Sequence, residues 1–96
     1  MTLSKLLDDF IVSITGATTR APDEYPAQGA WTYESNRADI LELWSQILPK
    51  IKKDIEQANF VDLKIKEAFA AFDEGDKARG RQALWDIYNA KPERLR

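Results

Sequence analysis

The sequence predicts an all-α fold, an irregular four-helix bundle in which residues 1–96 form a single helical domain. Apolar residues recur at three- and four-residue steps along most of the chain, which is the spacing of a helix face. Valine occurs only twice, and no alternating apolar run indicates a β-strand. The 96 residues are 44% hydrophobic, enough for one core but too few for a second domain.

The first helix is predicted over residues 3–15. Thr2 and Ser4 can cap its start, and one apolar face follows, formed by Leu3, Leu6, Leu7, Phe10, Ile11 and Ile14. Gly16 is expected to end the helix, because glycine tolerates the left-handed conformation at a helix C-terminus.

A long ordered loop is expected over residues 16–35. This segment holds half of the chain's glycines and prolines, namely Gly16, Pro22, Pro26 and Gly29. Structureless connections of this length are uncommon in compact domains. The loop also carries Tyr25, Trp31 and Tyr33, which a simple spacer does not need.

The second helix is predicted over residues 36–58, with Ser35 or Asn36 as its cap. Pro49 removes one backbone hydrogen bond and costs about 3 kcal/mol inside a helix. The segment is therefore one helix kinked near Pro49 or two helices that meet there. The kink is favoured because one apolar stripe keeps its phase across the proline, through Leu41, Trp44, Leu48, Ile51, Ile55 and Ala58.

Two further helices are predicted over residues 61–74 and 76–90, after a break at Asn59. Gly75 is the expected stop between them, and Asp76 the expected cap of the last helix. A turn this short requires the two helices to fold back as an antiparallel hairpin. Trp44 and Trp85 lie on or beside apolar stripes and are expected in the core.

The composition argues against enzymatic catalysis and against a metal or cofactor site. The chain contains no Cys and no His, which excludes disulfides and zinc–thiolate sites and removes the commonest general base. The four glycines build no phosphate-binding loop, and the carboxylate pairs do not converge. The sequence therefore predicts a protein that is not an enzyme and that binds no cofactor and no metal.

The predicted location is cytoplasmic, without membrane contact. Asp8 and Asp9 interrupt the apolar stretch near the start of the chain, unlike the apolar core of a signal peptide. No run reaches the roughly 18 apolar residues that a membrane helix needs.

Charge is distributed unevenly. Residues 1–76 carry a net charge of −6 and residues 77–96 a net charge of +4, which gives the chain its −2. The basic end folds against the acidic body or meets an acidic partner. The candidate nucleic-acid-binding residues are Lys77, Arg79, Arg81, Lys91, Arg94 and Arg96. Nearby acids and the negative net charge favour folding against the body.

The principal hypothesis is a small non-enzymatic protein-binding module, such as an adaptor, inhibitor or assembly factor. Tyr25, Trp31 and Tyr33 are the candidate contact residues, because Trp and Tyr dominate interface hot spots. Asp23 and Glu24 would steer a basic partner. In the competing interpretation Trp31 and Tyr33 fold down into the bundle, while Tyr25 is expected to be more exposed.

Two alternatives stay open. One is a nucleic-acid accessory protein that uses the basic C-terminal helix. The other is a homo-oligomeric structural protein, in which copies associate through the 36–58 stripe. That stripe is wide, because Ile40, Leu43 and Ile47 extend it to one side, and a small bundle has little surface to cover it.

Overall fold

The computed structural model describes residues 2–96 and confirms the all-α prediction, with four α-helices that pack together and no strand in that range. Two short 3₁₀ turns, at Leu48–Lys50 and Pro92–Arg94, follow the second and fourth helices. The helices are α1 (Leu3–Arg20), α2 (Tyr33–Ile47), α3 (Ile55–Asp73) and α4 (Lys77–Asn89).

The helices form two hairpins joined by α1. The first hairpin pairs α1 with α2, and the second pairs α3 with α4, while α1 also packs along α4. One contiguous apolar core lies between them. Its largest fully buried apolar side chains are Phe10, Leu6, Ile14, Ile40, Ile47, Leu84, Ile87 and Val61.

The first helix continues past its predicted end at residue 15 and stops at Arg20. Gly16 lies inside α1, and the indole ring of Trp31 packs directly against it, so that a β-carbon at position 16 would overlap that ring. The glycine therefore allows a side chain to pack closely against the helix and does not end the helix.

The predicted helix 36–58 is two helices, so the kink at Pro49 is wrong. Pro49 stands in the 3₁₀ turn that follows α2, and α3 begins only at Ile55. Asn59, the predicted break, is inside α3. The apolar stripe therefore does not run along one continuous helix.

Backbone hydrogen bonds to Arg96 stabilise the non-helical connection between α2 and α3. The backbone N–H groups of Lys52, Lys53 and Asp54 donate to the carbonyl oxygen of Arg96, at 3.1, 2.8 and 3.0 Å. The N–H of Arg96 in turn donates to Asp54 Oδ2 at 2.9 Å. Donors that a continuous helix would direct to its preceding turn are thus used by a distant segment.

The start of α2 also differs from the prediction, because Thr32 is the cap rather than Ser35 or Asn36. The Thr32 hydroxyl accepts from the Ser35 N–H at 3.1 Å, and Ser35 Oγ accepts from the Thr32 N–H at 2.9 Å. This reciprocal capping box fixes the first helical residue at Tyr33.

The turn between α3 and α4 is as predicted. Gly75 has a φ of 83°, which only glycine adopts readily. The Asp76 carboxylate caps α4 by accepting from the Arg79 N–H at 3.1 Å.

The two helical tryptophans differ in burial. Trp44 is 5% exposed, and its Nε1 donates to Asp62 Oδ1 at 3.0 Å, which joins α2 to α3. Trp85 is 40% exposed, so its predicted place in the core is wrong. It lies on the outer side of α4, since this helix buries Gly80, Ala83, Leu84 and Ile87.

The apolar stripe is divided in the same way. Leu41 and Ile55 are exposed, whereas Ile40 and Ile47, which extended the stripe, are fully buried. The exposed members of the stripe, Leu41 and Ile55, therefore lie on two different helices.

We expect Gly80→Ala to destabilise the protein, although alanine favours a helix by about 1 kcal/mol over glycine. A β-carbon at position 80 would lie 2.5 Å from Cε1 of Phe72, a ring held in place by Tyr33 and Phe69. Overpacking costs about 1–3 kcal/mol, so the free energy of unfolding should fall by about 1 kcal/mol in urea titrations. In a Phe72→Leu background the loss should disappear. Stabilisation of the wild-type background by Gly80→Ala would contradict the packing.

Candidate functional site

The three aromatic residues predicted in the loop are all half-buried. The connection is shorter than the predicted loop 16–35, since it spans residues 21–32 and Tyr33 is the first residue of α2. Tyr25 contacts both Trp31 and Tyr33. The Tyr25 ring meets the Trp31 ring edge-on, with centroids 5.6 Å apart. Tyr33 packs edge-on against Phe72, with centroids 5.8 Å apart. Tyr25 and Tyr33 rest on the apolar core, and Trp31 rests on α1 at Gly16. The aromatic loop is therefore a packed wall of the bundle with one edge in solvent.

Tyr25, which was expected to be more exposed, is half-buried like Trp31 and Tyr33 and anchors this loop through a buried amide. Its hydroxyl donates to Asn36 Oδ1 at 2.5 Å. Asn36, which has no exposed surface, donates from Nδ2 to the carbonyl oxygen of Ser13 at 3.2 Å. Burial raises the pKa of Tyr25 to about 12.

The acidic pair of the loop faces α4. Lys77 Nζ lies 3.0 Å from Asp23 Oδ1 and 3.4 Å from Glu24 Oε2, and Arg81 also pairs with Glu24. The hydrogen bond from Lys77 lowers the pKa of Asp23 below its usual value. These two carboxylates are thus engaged within the chain.

Arg81 also binds the end of α1. Its Nε donates to the carbonyl oxygen of Ala21 at 2.8 Å, and one terminal nitrogen donates to that of Thr19 at 3.2 Å. Carbonyls at a helix C-terminus lack helical partners, and the planar guanidinium can satisfy two at once.

Arg79 forms longer ion pairs, 3.7 Å to Glu67 and 3.5 Å to Glu74. With Lys77 and Arg81 it forms the part of the basic end that folds against the acidic body.

The other three candidate basic residues lie at the opposite end of α4. The Arg96 carbonyl contacts bring them beside residues 50–53, which carry three lysines. We call this surface the basic pole, formed by Lys50, Lys52, Lys53, Lys91, Arg94 and Arg96. Sequence reasoning missed its three lysines, because no local pattern joins residues 50–53 to residues 91–96.

Two open cavities lie on the outer face of α1, and Val12 lines both of them. The first, of about 420 Å³, is lined by Asp9, Val12, Ser13, Asp39, Glu42 and Leu43. The second, of about 440 Å³, is lined by Ile11, Val12, Thr15, Gly16, Thr19, Arg20 and Trp31. We call the two together the Val12 groove. Val12 is 67% exposed, the highest value among the exposed large apolar side chains.

The rim of the Val12 groove is acidic at the α2 side. Asp39 and Glu42 form no ion pair within residues 2–96, while Asp9 is paired with Lys5 at 2.9 Å. At the other end the Arg20 guanidinium lies 5.2 Å from the centre of the Trp31 ring. The sequence signal for this groove was Val12, an apolar residue off the buried stripe of its helix.

Two further findings concern residues 2–96 as a whole. No group of three or more potential metal-ligating side chains is gathered there. None of the helices in this range combines the length and apolar character needed to cross a membrane.

Comparison with known proteins finds no family model, no curated protein and no solved structure that matches this chain.

We expect Arg81→Lys to lower the free energy of unfolding by about 1–2 kcal/mol, because an ammonium cannot reach two carbonyls and a carboxylate in the same geometry. Arg79→Lys is the matched control and should change stability by less than about 0.5 kcal/mol, since its pairs are long and exposed. Urea titrations at one salt concentration measure both. Equal effects of the two substitutions would contradict the role of the guanidinium.

Stability should fall between about pH 10 and 12 as Tyr25 ionises. Its folded pKa of about 12 lies above the ordinary value of 10.0, so folding favours the neutral phenol. That contribution is complete below pH 10 and is lost as the pH rises through 12. Tyr25→Phe should be less stable at neutral pH by about 1 kcal/mol and should show a shallower alkaline loss in thermal unfolding. Identical alkaline slopes for the two proteins would contradict this.

Proposed function

We propose that this protein is a non-enzymatic protein-binding module that holds an amphipathic helix of its partner in the Val12 groove. The observation that carries the proposal is the exposure of Val12, which lines two cavities, one with an acidic rim and one with an indole wall.

The shape and polarity of the groove suit a helix. Amphipathic helices bind by placing apolar side chains from successive turns into a hydrophobic groove. Ile11, Val12, Leu43 and Trp31 supply apolar surface along α1. A solvent-exposed concave apolar surface of this kind favours association with another molecule.

The charge of the rim specifies the polar face of the partner helix. Asp39 and Glu42 lie beside the apolar floor and have no basic neighbour in an ion pair. Lysine or arginine side chains that flank the apolar face of a partner helix would complement them. Such complementarity raises the association rate and selects the binding orientation.

The aromatic loop prepares the groove for binding. Trp31 forms one wall of the groove. The loop that carries Trp31 is held by a hydrogen bond between Tyr25 and Asn36 and by an ion pair between Glu24 and Arg81. A wall held in place before binding loses little conformational freedom on association. In this proposal Trp31 contacts the partner, whereas Asp23, Glu24, Tyr25 and Tyr33 position the loop.

The proposal is tested with two amphipathic helical peptides that share a leucine face and carry lysine or glutamate on the other face. We expect the lysine peptide to shift the amide resonances of Ile11, Val12 and Asp39 in ¹⁵N-labelled protein, and the glutamate peptide to leave them unchanged. Val12→Glu should weaken binding of the lysine peptide at least tenfold, about 1.4 kcal/mol.

Leu63→Glu is the matched control, because Leu63 is 65% exposed on α3 and lines neither cavity of the groove. It should bind the lysine peptide as the wild type does. Equal binding of both peptides, or equal weakening by Val12→Glu and Leu63→Glu, would rule out the Val12 groove as the binding surface.

A further inference from the structure

The basic pole is assembled from two segments that are distant in sequence. The carbonyl oxygen of Arg96 accepts N–H groups of residues 52–54, which holds residues 91–96 against the turn between α2 and α3. Leu95 is buried and fastens the same segment to the core. The relative position of the two basic segments is therefore fixed by backbone and core contacts, independently of their charged side chains.

The cations of this surface differ from the others in the chain. Seven of the 14 basic residues form ion pairs with carboxylates, namely Lys5, Arg37, Lys64, Lys66, Lys77, Arg79 and Arg81. Arg20 lies over the Trp31 ring. The other six are the members of the basic pole, all exposed and in no ion pair within residues 2–96.

The pole has a net positive charge in an acidic protein. Residues 50–56 and 91–96 together hold six basic and three acidic residues, a net charge of +3, against −5 for the rest of the chain. One of those acids, Asp54, already accepts a backbone hydrogen bond from Arg96. A phosphate ligand would thus meet an excess of free cations.

A cleft lies beside residues 91–96, where Lys91, Arg94 and Arg96 line it; Lys50, Lys52 and Lys53 lie outside it. Its volume is about 290 Å³, and it is lined by Asp54, Gln57, Ala90, Lys91, Arg94, Leu95 and Arg96. Phe60 follows Gln57 by three residues on α3, so the two are neighbours on the helix surface. The Phe60 ring is 41% exposed and offers an aromatic surface one turn from the cleft.

We infer that the basic pole binds the sugar–phosphate backbone of a single-stranded nucleic acid, with a base stacked on Phe60. Proteins that bind single strands combine a positively charged groove along the backbone with aromatic side chains under the bases. A concave cleft lined by the three cations Lys91, Arg94 and Arg96, with an aromatic ring one helical turn away, fits a narrow strand, whereas a flat anionic bilayer would meet only its rim. This site is separate from the Val12 groove and does not depend on the protein-binding function.

The test measures binding of fluorescently labelled oligo-uridine and oligo-thymidine to the full chain by anisotropy, over a range of salt concentrations. If all six cations release counterions, the logarithm of the binding constant should fall with the logarithm of salt concentration with a slope of about −4. The triple variant Lys52→Gln, Lys53→Gln, Arg94→Gln should bind at least tenfold more weakly. Its slope should be less steep, about −2 instead of about −4. These changes spare the backbone donors, so circular dichroism should be unaltered.

The matched control removes three cations elsewhere, through Lys5→Gln, Lys66→Gln and Arg79→Gln, and should keep the wild-type affinity. Phe60→Leu should weaken oligonucleotide binding several-fold at unchanged salt slope. Equal loss in the two triple variants, or binding without salt dependence, would overturn the assignment. Binding to phosphatidylserine vesicles without binding to either oligonucleotide would also overturn it, and would assign the pole to lipid headgroups.

Discussion

Burial of one face of α1 holds the two helical hairpins together. Leu6, Phe10 and Ile14 have no exposed surface, and full burial of such a side chain contributes about 1.5–3 kcal/mol. The helix contacts α2 on one side and α4 on the other, so the same face joins both hairpins. Phe10 packs on Trp44, and the Trp44 indole reaches across to Asp62 on α3. Loss of this face would separate the hairpins.

Polar contacts between distant segments then select one arrangement of these helices. Apolar burial has no direction and tolerates many packings, whereas a buried donor or acceptor requires its partner at a set position. Asn36 joins the aromatic loop to α1, and Arg81 joins α4 to the end of α1. Arg96 joins the end of the chain to the start of α3. Each contact joins two segments that are distant in sequence and whose relative position local sequence patterns do not predict.

The same contacts organise charge on the surface. Ion pairs between the loop and α4 join Asp23 and Glu24 to Lys77 and Arg81. Asp39 and Glu42, which form no ion pair within residues 2–96, lie at the Val12 groove, and the cations without an ion pair in that range lie at the basic pole. Both surfaces use side chains that internal pairing leaves available. The acidic surface supports our proposal of a basic partner helix, and the basic one our inference of a phosphate ligand.

The all-α class, the start of α1, the Gly75–Asp76 turn and the end of α4 follow from local sequence, because periodicity, caps and glycine conformation act over a few residues. The remaining features depend on contacts between distant segments. The glycine at position 16 makes room within α1 for a distant indole, and the donors beyond Pro49 bond to Arg96 instead of continuing the helix expected there. The three lysines of the basic pole and the acidic rim of the Val12 groove escaped prediction for the same reason. The residues that they contact are far away in the chain, and local sequence patterns do not reveal contacts between distant segments.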